Sequence, residues 1–175
     1  IDYEVEEGSG QGRLNAGLRA DVSAAGGKLR LGVSGLTEQA ELDGTRKNLT
    51  AVDVTASLGP NTELRGEIGT SFDHRSGAVA WLIEAEHHDG KLDLLGYARF
   101  AEREFGLNQQ SDVERGRRKL GLDLRYRLND KLSLDASAWR DEVLDDAGHR
   151  TALQLGAVWQ GKSTDARLGL AMMRD

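Results

Sequence analysis

The chain has 175 residues, a formal net charge of −6, 30% charged and 38% hydrophobic residues, 22 glycines, one proline and no cysteine. That length suits one domain with a core, and the interspersed signs of charge exclude a basic tract of the kind that binds nucleic acid. The missing cysteines exclude a disulfide framework and thiolate metal sites, as suits an oxidising compartment where a stray thiol is a liability.

The longest apolar run, AVAWLI at 78–83, falls far short of the roughly 18–20 residues of a transmembrane helix. A β-barrel is untouched by this test, because its strands need only about 9–11 residues each and alternate polar with apolar side chains. The chain opens at Ile1 without Met or a signal peptide, as expected of a mature form or a piece of something longer.

In chain order, IDYEVEE (1–7) alternates Ile1, Tyr3 and Val5 with acids and reads as a short strand before GSGQG. RLNAGLRADVS (13–23) and KLRLGVSGL (28–36) form a hairpin about AAGG, and the polar stretch TEQAELDGTRK (37–47) reads as a loop. NLTAVDVTASL (48–58) returns through Gly59-Pro60-Asn61-Thr62 into ELRGEIGTSFD (63–73). After DHRSG comes AVAWLIEAEHH (78–88), which turns at His88-Asp89-Gly90-Lys91 into KLDLLGYARFAERE (91–104).

The longest polar connection, FGLNQQSDVERGR (105–117), precedes the clearest pattern in the chain, KLGLDLRYRLNDKLSLDASAW (119–139). Leu120, Leu122, Leu124, Tyr126 and Leu128 occupy every second position, Lys119, Asp123, Arg125 and Arg127 fill the gaps, and Asn129-Asp130 is the turn. RTALQLGAVWQ (150–160), GKST and DARLGLAMM (165–173) make a last hairpin. The expectation is about eleven strands and no helix.

Tight turns near 25, 61, 89, 130 and 162 alternate with mostly longer polar connections near 37–47, 73–77, 105–117 and 144–150. Short and long ends in alternation predict an all-β, up-and-down antiparallel transmembrane β-barrel, with short turns periplasmic and long loops external. Residues 1–175 then form a single barrel domain or a barrel segment. By turn parity the last strand ends outside, so at least one further strand is expected, in a barrel of about 12 strands or more.

The apolar faces are rich in Leu, Ala and Val, and Trp81, Trp139, Trp159, Tyr126, Phe72 and Phe100 are the candidates for aromatic girdles. The residues expected to line the lumen are Arg19, Arg30, Arg65, Arg99, Asp123, Arg125, Arg127 and Asp135. There they form a network of opposite charges or tune anion passage. The alternative is a soluble β-barrel that packs its apolar faces inward and binds an apolar ligand.

FGLNQQS (105–111), opening a polar loop before RRKLGLDLRYRLNDKLSL (117–134), resembles the C-terminal barrel regions of very large surface proteins of Gram-negative bacteria, which carry repeated extracellular domains ahead of the barrel. The resemblance covers mainly the second half of the chain. It implies a membrane anchor, pore or export conduit in the bacterial outer membrane. Its partners would be the lipid bilayer and further strands or domains of a larger chain, with no nucleic acid.

The resemblance supplies no catalytic residue, cofactor or metal site. His87-His88-Asp89 would place adjacent side chains on opposite faces, Asp73-His74 and Asp145-Asp146 with His149 are generic polar loop sequences, and no nucleophile elbow is present. The expected function is therefore non-enzymatic.

Overall fold

A computed structural model of the chain describes residues 15–39, 45–107, 115–145 and 148–175. Its strands are β1 (Asn15–Ala24), β2 (Leu29–Gln39), β3 (Arg46–Ser57), β4 (Thr62–Phe72), β5 (Gly77–His88), β6 (Leu92–Ala101), β7 (Arg117–Asn129), β8 (Leu132–Val143), β9 (His149–Gln160) and β10 (Asp165–Arg174). They form one open antiparallel sheet of 10 strands in the order β1 to β10, so every strand lies beside its sequence neighbours. The strand expected at 1–7 lies outside the described residues.

The period of two in the sequence becomes a separation of faces because the register aligns most apolar positions with apolar ones and most polar with polar, with exceptions such as Leu95 opposite Asp123. Leu122 stands between Gly96 and Ala138, Leu124 between Leu94 and Ala136, and Val52 between Val33 and Ile68. On the other face Arg125 stands between Asp93 and Asp135, and Arg65 between Thr55 and Glu84. A slip of one residue in any ladder would carry its charges onto the apolar face.

Several expected boundaries move. The stretch 37–47 is not wholly loop, since β2 continues to Gln39 and β3 begins at Arg46. Thr37 pairs with Asn48 and Glu38 with Lys47, and these ladder bonds outweigh the polar composition. The connection at 73–76 is as tight as the short turns, so the asymmetry of the two ends rests mainly on residues 102–116. Between β7 and β8 the loop is Asp130-Lys131, with a register shift between Arg127 and Asn129.

Three of the tight connections share a device. Asp73 accepts hydrogen bonds from the backbone N–H groups of Arg75 and Ser76 (2.7 and 2.9 Å), Asp89 from Lys91 and Leu92 (both 2.7 Å), and Asn129 from Lys131 and Leu132 (2.9 and 3.0 Å). Each is an Asx-type turn in which the side chain stands in for a backbone carbonyl. The β1–β2 turn instead uses left-handed backbone at Ala25, Gly26 and Gly27, with φ of 53°, 68° and 85°, which glycine adopts without a Cβ clash.

A second glycine device sits mid-sheet. Tyr97 lies flat across Gly121, whose missing side chain makes room for the ring, and Trp139 flanks Gly121 from β8. Trp139 therefore belongs to the polar face rather than to a girdle on the apolar one. Its place opposite Gly121 and Ala152 gives the indole a small-residue seat.

Two outcomes follow. Gly121→Ala drives the Tyr97 ring from its seat and lowers stability by about 1–3 kcal/mol in denaturant titration; in a double-mutant cycle with Tyr97→Ala most of that loss disappears. At the β5–β6 turn, the N–H groups of Leu92 and Lys91, aided by His87, pull the Asp89 pKa from 3.8 down to about 2. Because folding lowers this pKa, the turn's contribution is fully present above pH 3.8 and is lost as the pH falls through about 2. NMR titration should give that midpoint; Asp89→Asn should keep the turn without its acid sensitivity, and Asp89→Ala should speed amide exchange at Lys91 and Leu92.

Candidate functional site

The unusual feature of the sheet is which of its faces is sheltered. The carboxylate side chains of Glu84, Asp141 and Asp53 are 15%, 16% and 20% exposed, whereas Ile83, Leu18 and Leu168 on the opposite face are 59%, 63% and 76% exposed. The buried side chains among the described residues, Leu49, Ala51, Ala78, Ala152, Glu38 and Ser71, all project from the charged face. In water a sheet normally packs its apolar face and exposes its charges. Here these carboxylates are the more sheltered groups, although arginines of the same face such as Arg65 and Arg125 are 53% and 55% exposed.

The register places all of Arg19, Arg30, Arg65, Arg99, Asp123, Arg125, Arg127 and Asp135 on this polar face. Arg19 reaches from β1 over Gly32 to Asp53 on β3, donating from Nη1 and Nη2 at 2.9 Å each, and also bonds Asp21 and Ser34. Gly32 is required there because a Cβ would fall between the guanidinium and the carboxylate. Arg65 pairs with Glu63 at 2.6 Å and lies 3.8 Å from Glu84, which also meets Arg99 at 3.4 Å. Arg125 donates to Asp135 at 2.8 Å, and Arg167 approaches the same carboxylate at 3.7 Å.

Arg127 donates instead to the Gly90 carbonyl at 2.7 Å, while Arg30 and Asp123 make no ion pair among the described residues. Most of the predicted cations are thus tied into cross-strand pairs. Lys119 is held differently, 6.0 Å from the Tyr97 ring centroid and 5.7 Å from that of Trp139, a cation–π arrangement. The sequence signal for it was the i, i+2 placement of Tyr97 and Arg99, Lys119 and Gly121, and Trp139 and Asp141, which only the register brings into one row.

Two cavities lie over this face. One of about 680 Å³ spans the turn-side half of β5 to β10, where Glu86, Asp93, Asp123 and Asp135 outnumber Arg125 and Arg167. The other, about 430 Å³, lies toward the loop end, where Arg99, Arg117 and Lys119 outnumber Glu67 and Asp141. The face is therefore acidic toward the short turns and basic toward the long loops.

Residues 102–104, expected to end the strand at 91–104, and 105–107, expected to begin the polar loop, leave the sheet after Ala101 and fold back onto the polar face. Glu102 donates its N–H to the Val79 carbonyl at 3.0 Å and accepts the Val79 N–H on Oε2 at 2.7 Å. The Phe105 ring packs over Gly69, and Gly106 N–H donates to the buried Ser71 Oγ at 2.9 Å. This small cap explains the burial of Leu49, Ala51, Ser71 and Ala78 beneath it. The alternation of Ser71 and Gly69 with Thr70 and Phe72 hinted at a close approach, but not at its occupant.

The histidines do not assemble. His87 meets Thr62 Oγ1 at 2.8 Å and Asp89 at 3.3 Å, while His88 faces the other way to Asp93 at 2.5 Å. His74 accepts from Arg75 at 3.0 Å, and Asp145 pairs with Arg103 at 2.5 Å. Asp146 lies outside the described residues. Among the described residues no group of three or more His, Asp or Glu side chains is placed to hold a metal ion, and no helix is long and apolar enough to cross a membrane, which says nothing of strands.

Ser71→Ala removes the anchor of the folded-back segment, at a cost of about 1 kcal/mol for the lost buried hydrogen bond. Limited proteolysis should then cut within 102–116 several-fold faster than in the wild type, with cuts elsewhere unchanged. The chain matches no protein-family model, no curated protein and no solved structure.

Proposed function

We propose that the chain is a non-enzymatic β-barrel, or a segment of one, in the bacterial outer membrane, where it serves as membrane anchor, pore or export conduit for a larger attached surface region. The observation that carries this reading is the contrast between faces: the carboxylates of Asp53, Glu84 and Asp141 are sheltered, while Leu18, Leu64, Leu120, Leu153 and Leu168 on the opposite face stand open. Burying that apolar face in hydrocarbon is favourable by roughly 25 cal/mol per Å², whereas in water it would form one continuous adhesive patch.

Strands of 10 to 13 residues are long enough for the crossing, which takes about 9–11 residues per tilted strand. In hydrocarbon the edges of β1 and β10, which have no further partner strand among the described residues, cannot stay unpaired, since no water reaches their backbone groups. On this reading they join each other or further strands, and the ion-paired face lines the lumen. A soluble barrel with an apolar interior would need the opposite face to be the sheltered one.

Detergent and labelling test the reading together. The protein should require detergent or vesicles to stay dispersed. In phosphatidylcholine vesicles, cysteines at Leu122 and Leu124 should resist a membrane-impermeant maleimide while one at Arg125 reacts. A protein that is folded and monomeric without detergent, or in which the two leucine positions react and Arg125 is shielded, would refute it.

A further inference from the structure

On the apolar face, charge is confined to one end. Among the described residues the charged side chains on that face of the strands are Arg46, Arg118, Arg140, Glu142 and Arg174. Each lies near the loop end of its strand: Arg46 opens β3, Arg118 is second in β7, Arg140 and Glu142 close β8 and Arg174 closes β10. The turn-side border of the same face is formed by Thr62, His87, Tyr126 and Trp159.

The cluster is built rather than scattered. Glu142 Oε2 accepts from Arg118 Nε at 2.9 Å and Nη2 at 2.6 Å, and Glu142 Oε1 lies 2.5 Å from Arg140 Nη2. One carboxylate therefore fixes two guanidiniums side by side. Arg118 Nη1 and the remaining N–H groups of Arg140 have no protein acceptor among the described residues. Arg140 and Arg174 both stand opposite Thr151, which brings a third guanidinium to the patch, and Phe100, stacked on Trp81 at 5.9 Å, borders Arg118. All three guanidiniums are exposed.

The patch thus has excess positive charge, spare N–H donors and an apolar sheet directly beneath. Every cation in it is arginine, whose planar fork matches phosphate oxygens in pairs as a lysine ammonium does not. We propose that Arg118, Arg140 and Arg174, with Glu142 as positioning residue, bind the phosphate of a lipid headgroup at the border of the apolar band. This rests on the membrane reading above, which supplies the acyl chains for the leucine face below the patch.

The test uses the full chain in two steps. Flotation with phosphatidylcholine vesicles reports insertion. Native mass spectrometry from detergent, with phosphatidic acid, phosphatidylcholine or inorganic phosphate added, reports the site. The wild type should float and bind phosphatidic acid in preference to phosphatidylcholine. Arg118→Gln/Arg140→Gln should float equally but lose about thirtyfold in phosphatidic acid affinity, as removal of two interfacial cations implies, while Arg75→Gln, a loop cation at the same end, should not change it.

Should the double variant misfold by circular dichroism, Arg174→Gln, which breaks no hydrogen bond or ion pair among the described residues, should still lose about fivefold. Failure of the wild type to float overturns the membrane reading and this site with it. Flotation without preference for phosphatidic acid, or with a preference the arginine variants keep, overturns the site alone. Full competition by an equal concentration of inorganic phosphate would identify a free-anion site and overturn the lipid assignment.

Discussion

The structure depends on the unbroken antiparallel ladder. No large side chain among the described residues is fully buried, so no hydrophobic core holds the chain together as it does in a water-soluble domain of this size. Backbone hydrogen bonds between sequence neighbours take that role, and everything else in the molecule fixes their register. Because the side-chain period is two, register here is all or nothing: each ladder either keeps charge and apolar surface on separate faces or mixes them completely.

The register is pinned at several scales. Asp73, Asp89 and Asn129 close their turns through the same side-chain-to-backbone pairing, which sets where the returning strand begins. Within the sheet, glycines accept side chains from neighbouring strands: Gly32 lies under the Arg19–Asp53 bridge and Gly121 under Tyr97. A shift of one residue would put a Cβ beneath the guanidinium or the ring, so these contacts oppose slippage by steric exclusion as well as by attraction. Singly, such half-exposed ion pairs are weak in water; sheltered from water, they gain from the lower effective dielectric.

The two directions of the sheet carry different information. Across its thickness, polar opposes apolar. Along the strands, compact turns and a mainly acidic cavity at one end give way to the folded-back 102–107 segment, a basic cavity and the arginine border at the other. A homogeneous amphipathic sheet would be indifferent to being turned end for end in a bilayer. This sheet differs from end to end, and on the membrane reading proposed above such polarity is what an anchor or conduit with a fixed orientation needs.

The sequence by itself determined the strands, their number to within the described residues, the up-and-down order and the composition of each face, because alternation and turn chemistry are local properties of the chain. The register places the eight charged residues named as lumen candidates, from Arg19 in β1 to Asp135 in β8, on one face of the sheet. What only the tertiary structure decided depends on which residues meet across ladders. The pairing of Arg19 with Asp53 through Ser34 and Gly32, the seating of Trp139 on the polar side and the convergence of Arg118, Arg140 and Arg174 all join residues far apart in the chain. The return of Phe105 over Gly69 was hidden for another reason: a polar loop composition says where the chain leaves the sheet but not where it comes back. Alternation alone likewise leaves the sheltered face undecided, since an apolar-in and an apolar-out sheet have the same sequence period.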